Sequence, residues 1–81
     1  MFSYDLYSHC EVVDISSADH TAKYKSALFV GGGGASSTLK VITDGGETVV
    51  FTGVVSGTVL PVLVKTVVKV GTDVTNMMFL S

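Results

Sequence analysis

Valine and threonine dominate the chain from Leu28 onward, in short runs separated by glycines. β-Branched side chains fit a pleated, half-buried surface, and residues that favour helices are sparse in this part of the chain. Glycine and small polar residues bound each run, as is typical where turns join strands. The pattern predicts an all-β fold, a small antiparallel β-sandwich or barrel with a short N-terminal arm.

The runs predict six strands within a single domain. Residues 1–25 form an N-terminal arm and the first strand, and residues 26–81 form a β-module. The segment Thr43-Asp44-Gly45-Gly46-Glu47 predicts a tight hairpin turn, because glycine permits positive φ between two alternating segments. Residues 16–21 read as a polar loop. The predicted strands cover residues 10–15, 27–30, 38–43, 47–52, 59–70 and 74–80.

Alternate residues of the run 59–70 separate an apolar face from a mixed face that carries Leu63, Lys65 and Val67. A surface that combines apolar and charged side chains is a candidate subunit contact. The aromatic N-terminal segment is expected to dock onto a surface, and the methionines near the C-terminus favour an adaptable contact or plain core. The candidate interface residues are Phe2, Tyr4, Tyr7, Leu63, Lys65, Val67, Met77 and Phe79.

The chain is apolar for its size, with 81 residues, 47% hydrophobic residues and 15% charged residues. A domain this short buries only about 60% of the surface that its unfolded chain exposes. The single cysteine, Cys10, excludes an intrachain disulfide. We therefore expect oligomerisation to cover part of the apolar surface.

Charge and hydropathy disfavour nucleic-acid and membrane partners. The net charge is −2, and all the basic residues are lysines, whereas nucleic-acid binders present an arginine-rich basic face. The longest apolar stretch, residues 59–64, is far shorter than the roughly 20 residues of a membrane helix. The first residues lack the pattern of a signal peptide, so we expect a soluble protein made in a bacterial cytoplasm.

Four consecutive glycines, residues 31–34, invite comparison with phosphate-binding loops. A P-loop closes with Gly-Lys-Ser or Gly-Lys-Thr before a helix, and a dinucleotide fingerprint needs glycine where Ser36 stands. The glycines lead instead into another predicted strand. We interpret them as a flexible or tightly turning connection between strands.

His9, Cys10 and His20 are the soft metal ligands of the chain and its candidate nucleophile and base. Adjacent His9 and Cys10 point to opposite faces of a strand, and no local signature supports catalysis, so we predict no metal, no cofactor and no enzymatic activity. Cys10 is expected to be a small buried residue. A carbohydrate-binding module is disfavoured by the absence of tryptophan.

From Val12 onward the chain resembles the head-spike base proteins, a family of small proteins of tailed phages and related gene transfer agents. The order of the glycine cluster, the hairpin turn, the Leu60-Pro61 step and the late Gly-Thr turn carries the resemblance. Val55 stands where the family pattern has proline, and the C-terminus lacks the usual aromatic ending. The matching segments are residues 14–19, 27–34, 39–41, 44–46, 48–51, 53–54, 57–62, 64–65 and 71–75.

The resemblance implies an oligomeric pedestal, a trimer or pentamer, on the capsid surface of a virion. Its partners would be copies of itself, the major capsid protein and a spike or fibre protein. No catalytic residue carries over from the family pattern. Two alternatives stay open: a capsid decoration protein that clamps neighbouring capsid subunits, and a tail or neck structural protein.

Overall fold

A computed structural model describes residues 7–81, which form a single antiparallel sheet in the strand order β1-β6-β2-β5-β3-β4. This range contains no helix, so the predicted all-β class is confirmed. In particular, residues 7–81 include no helix with the length and apolar character needed to cross a bilayer. The strands are β1 (Cys10–Val12), β2 (His20–Gly32), β3 (Thr38–Thr43), β4 (Thr48–Thr52), β5 (Thr58–Val67) and β6 (Thr75–Leu80).

The β3–β4 hairpin forms where the Asp-Gly-Gly turn predicts it. The Gly46 N–H donates to the Thr43 carbonyl at 2.9 Å, and Gly46 has φ of +88°, which glycine adopts without steric cost. The Thr43 N–H then donates to the Glu47 carbonyl at 2.8 Å. The turn therefore determines the register, in which Val41 lies opposite Val49.

β2 is longer than the predicted strand, residues 27–30. It begins at His20, in the polar segment interpreted as a loop, and ends at Gly32. Its pairing with β5 shifts register between Thr21 and Ser26 and again between Ser26 and Leu28. The side chains of residues 21–25 are mostly exposed, so this part of the strand needs no alternation of apolar and polar residues in the sequence. Backbone pairing on either side of the bulge, which a sequence pattern does not show, extends this strand.

A bulge in β5 corrects the predicted position of Val67. Thr43 pairs with Val64 while Ile42 pairs with Thr66, so β5 advances two residues for one residue of β3. Because side chains alternate with a period of two, the extra residue reverses the faces beyond Lys65. Val67 therefore lies in the core, fully buried, and is not available on the mixed face.

The core lies on one face of the sheet. Cross-strand pairing places Leu28 between Phe79 and Leu60, and full burial of such side chains contributes about 1.5–3 kcal/mol each. Met77 and Phe79 are also buried here, which corrects their candidacy as surface residues: the alternation of β6 directs both inward. The core comprises Leu28, Val30, Leu39, Val41, Val54, Leu60, Val64, Val67, Val74, Met77 and Phe79.

Candidate functional site

The face of the sheet opposite the core carries a row of apolar side chains. Val12 of β1 pairs with Met78 of β6, Met78 pairs with Phe29 of β2, and Phe29 pairs with Val59 of β5. Val12 is 67% exposed and Val59 45%, and Met78 is also exposed. Because neighbouring strands lie about 4.8 Å apart, the row extends about 14 Å across four strands. We refer to these four residues as the outer row.

Phe29 is held against the sheet by the glycine two residues further along β2. A Cβ atom at Gly31 would lie 3.3 Å from Cε2 of Phe29 and 2.7 Å from the Asn76 carbonyl oxygen. The Phe29 ring therefore lies over the backbone of Gly31. A side chain at position 31 would push the ring away. This contact keeps Phe29 half-buried at the centre of the outer row.

The next two glycines allow close approach of neighbouring chain segments. A Cβ at Gly32 would collide with Oγ1 of Thr75, and one at Gly33 would collide with the carbonyl oxygen of Val54. Gly31 and Gly32 are the last two residues of β2, and Gly33 and Gly34 begin the connection to β3, so only half of the quartet lies in the predicted connection. Close packing of the backbone against β6 and the segment that carries Val54 explains the glycines at positions 31–33.

Two of the predicted interface residues lie on the outer face. Leu63 is 49% exposed and shares the outward direction of Val59 along β5, and Lys65 is exposed next to it. Tyr7 is also exposed, at the beginning of the described chain. Phe2 and Tyr4 lie outside the described residues. The sequence thus predicted the exposed positions of Leu63 and Lys65 on β5. The outer row could be found only from the pairing between strands.

A polar cluster, formed by Glu11 of β1, His20 of β2 and the backbone around them, lies at the end of the core. His20 Nδ1 accepts from the Asp14 N–H at 3.3 Å, so the ring proton is on Nε2 and is donated to Glu11 Oε2 at 2.6 Å. The other carboxylate oxygen, Oε1, accepts from the Lys23 N–H at 3.2 Å. Glu11 thereby satisfies a backbone donor in the bulged part of β2.

The hydrogen bond from His20 lowers the pKa of Glu11, helped by the Lys23 N–H and opposed by burial. The His20 ring also packs against the Phe79 ring at a tilt of 40°, with ring centroids 5.6 Å apart. The cluster therefore covers the aromatic end of the core, which is a structural role. Nothing in the sequence signals it, because the pairing of Glu11 with His20 depends on how β1 and β2 are placed in the fold.

His9 and Cys10 line a shallow cleft of about 200 Å³ together with Glu11, Lys23, Tyr24 and Ser81. The expectation that Cys10 is buried is wrong, because its side chain is exposed on the short strand β1. The His9 ring lies 5.4 Å from the Tyr24 ring, centroid to centroid. Across residues 7–81, no three His, Cys, Asp or Glu side chains are arranged to hold a metal ion.

The outer row and the polar cluster thus differ in what they can do. The outer row exposes apolar side chains, whereas the polar groups of the cluster are paired with one another. Comparison with protein-family models, curated proteins and solved structures finds no match to this chain.

Proposed function

We propose that this protein is a structural subunit of a tailed-phage virion, an oligomeric base on the capsid surface that attaches a spike or fibre to the major capsid protein. The resemblance of its sequence segments to head-spike base proteins supports the proposal. The all-β fold is compatible with it.

The outer row is the observation that carries the proposal. Contiguous exposed apolar patches on small proteins mark contacts with other proteins. The centres of such contacts are depleted in charge and enriched in methionine and aromatic residues. The outer row has this composition, since it combines Met78 and Phe29 with two valines and contains no charged residue. We assign this row to the contact with the major capsid protein.

The glycine geometry gives the resemblance a physical basis. The family-like segment 27–34 contains both Phe29, at the centre of the outer row, and the glycines that hold β2 against β6. The same segment therefore shapes the proposed docking face.

The proposal is tested by binding to capsid shells of the encoding virus that lack this protein. Val59→Lys or Met78→Lys places an ammonium group in the apolar contact, so we expect binding in co-sedimentation to weaken at least tenfold, which is about 1.4 kcal/mol. Val70→Lys is the control, because Val70 is 77% exposed and outside the outer row. Unfolding curves of each variant confirm that the fold is retained.

Absence of binding by the unmodified protein would refute the proposed function, and full binding by both outer-row variants would refute the assigned surface. The position of the copies on the particle separates the two capsid roles. Occupancy restricted to vertices supports a spike base. Copies spread over every local threefold position would instead establish a decoration protein.

A further inference from the structure

β4 is an edge strand of the sheet within residues 7–81, with β3 on one side. At one end of the ladder, the Thr43 N–H donates to the Glu47 carbonyl; at the other, the Gly53 N–H donates to the Ser37 carbonyl. Antiparallel pairs alternate between hydrogen-bonded and non-hydrogen-bonded, so the odd-numbered residues of β4 bond to β3.

The even-numbered residues therefore direct their backbone groups away from the sheet. Thr48, Val50 and Thr52 each present an N–H and a C=O along this edge, and their side chains are exposed. Val50 is 55% exposed. The strand contains no charged residue and no proline, the usual devices that prevent an edge from pairing with another chain.

The opposite edge of the described sheet differs. β1 has three residues, and its central residue, Glu11, points toward the core side and pairs with His20. A short edge strand with an inward-pointing charge resists pairing. β4 is thus the edge that is suited to adding a strand.

We propose that β4 pairs antiparallel with β4 of a second copy of this chain, about a two-fold axis at Val50. This register sets Val50 opposite Val50 of the second copy, and Thr48 opposite Thr52. Each of these pairs exchanges both backbone hydrogen bonds, because all three residues present them outward.

The side chains are self-complementary in this register. On the core side, half-buried Val49 of each copy lies opposite half-buried Phe51 of the other. Aromatic–β-branched and Thr–Thr pairs across strands each contribute about 0.2–1 kcal/mol. Glu47 lies opposite Gly53, so no like charges face each other directly.

This contact is two-fold symmetric, so it differs from the interface that would close a trimer or pentamer, and it does not depend on the proposed function. It leaves the outer row, on other strands, available to the capsid. A five-residue strand pairing is smaller than a standard interface of about 800 Å² per partner, so we expect a weak dimer in solution.

Cysteine cross-linking tests the register, in a Cys10→Ser background and without capsid. Cα atoms of a hydrogen-bonded pair lie about 5.5 Å apart, within the range of about 4.4–6.8 Å that a disulfide spans. Val50→Cys is expected to form a disulfide-linked dimer on mild oxidation. Thr48→Cys alone should not form this dimer, because Thr48 lies opposite Thr52 of the second copy. A mixture of the Thr48→Cys and Thr52→Cys variants should form a disulfide-linked heterodimer.

Val70→Cys is the control for collisional cross-linking. Dimer yield from Val50→Cys no higher than from Val70→Cys would overturn the proposal. So would efficient self-cross-linking of Thr48→Cys, which would require a parallel or different register.

Sedimentation velocity up to about 1 mM provides a second readout. The sedimentation coefficient of the unmodified protein should rise with concentration. Val50→Lys should abolish the rise by opposing two ammonium groups, and Val70→Lys should preserve it. A monomer at all concentrations would overturn the pairing of β4. Failure to bind capsid shells would count against the proposed function and would leave the pairing of β4 unaffected.

Discussion

At the scale of single residues, Gly33 and Gly34 are adjacent and chemically identical, yet their surroundings differ. A Cβ at Gly33 would clash with the carbonyl oxygen of Val54, at 2.0 Å, and the side chain of Val54 lies in the core. A Cβ at Gly34 would have Ser37 Oγ as its nearest neighbour, at 3.8 Å, an ordinary contact distance. The repeated glycine therefore meets a steric requirement at one position and not at the next.

We predict that Gly33→Ala destabilises the protein by about 1–3 kcal/mol, because backbone on both sides must move to admit the methyl group. Gly34→Ala should be neutral or stabilise by up to about 1 kcal/mol, because it restricts the unfolded chain. Urea unfolding of both variants measures the difference. Equal effects would show that the two positions are packed alike.

At the scale of elements, β6 lies between β1 and β2 and contributes to both faces of the sheet. Met77 and Phe79 are 3% and 1% exposed, whereas Met78 between them is 37% exposed and belongs to the outer row. One strand therefore supplies both core and proposed binding surface. Strand alternation alone separates these roles.

Phe79→Ala is predicted to cost about 3–5 kcal/mol, because it opens a cavity beside Leu28 and removes the ring beneath His20. Met78→Ala should change the free energy of unfolding by less than about 0.5 kcal/mol, since its side chain faces solvent. Chemical denaturation of the two variants gives the comparison. A large loss at Met78 would place that side chain in the core.

At the scale of the whole molecule, the pair of Glu11 and His20 ties β1 to the first half of β2 across the end of the core. The folded-state pKa of Glu11 is lowered, mainly by the hydrogen bond from His20. A lowered pKa stabilises the fold at pH values above the unfolded pKa, and this stabilisation is lost as the pH falls through the folded pKa.

We therefore predict that Glu11→Gln destabilises the protein by about 1 kcal/mol at pH 7, below the usual range for a buried charge-assisted hydrogen bond because the site is partly solvated. The difference from the unmodified protein should shrink as the pH falls below the ordinary glutamate pKa of about 4.3 and through the lowered pKa of Glu11. Urea unfolding at pH 7 and pH 3 measures it. Glu47→Gln, in the exposed hairpin turn, is the control, and a pH-independent difference would contradict the assignment.

The extent to which the fold could be predicted follows the range of the interactions. The Asp44-Gly45-Gly46 turn carries its own geometry, so the β3–β4 hairpin was predicted within one residue at each end. The start of β2 and the inward position of Val67 depend on register shifts against other strands. Such shifts arise from partners distant in sequence, which local patterns do not encode.

The candidate surfaces divide in the same way. Exposure of Leu63 and Lys65 follows from alternation along one strand, and the structure places both on the outer face. The outer row brings residues 12, 78, 29 and 59 together only through the pairing of four strands. The exposed Cys10 and the pairing of Glu11 with His20 likewise depend on how the strands meet.

The sequence by itself determined the all-β class, the hairpin turn and the excess of apolar residues, because local backbone preferences and the two-residue period of strands are written in neighbouring residues. Only the tertiary structure decided which apolar side chains form the core and which form the outer row. A bulge moves residues between the two faces of a sheet, and its position depends on pairing between segments far apart in the chain.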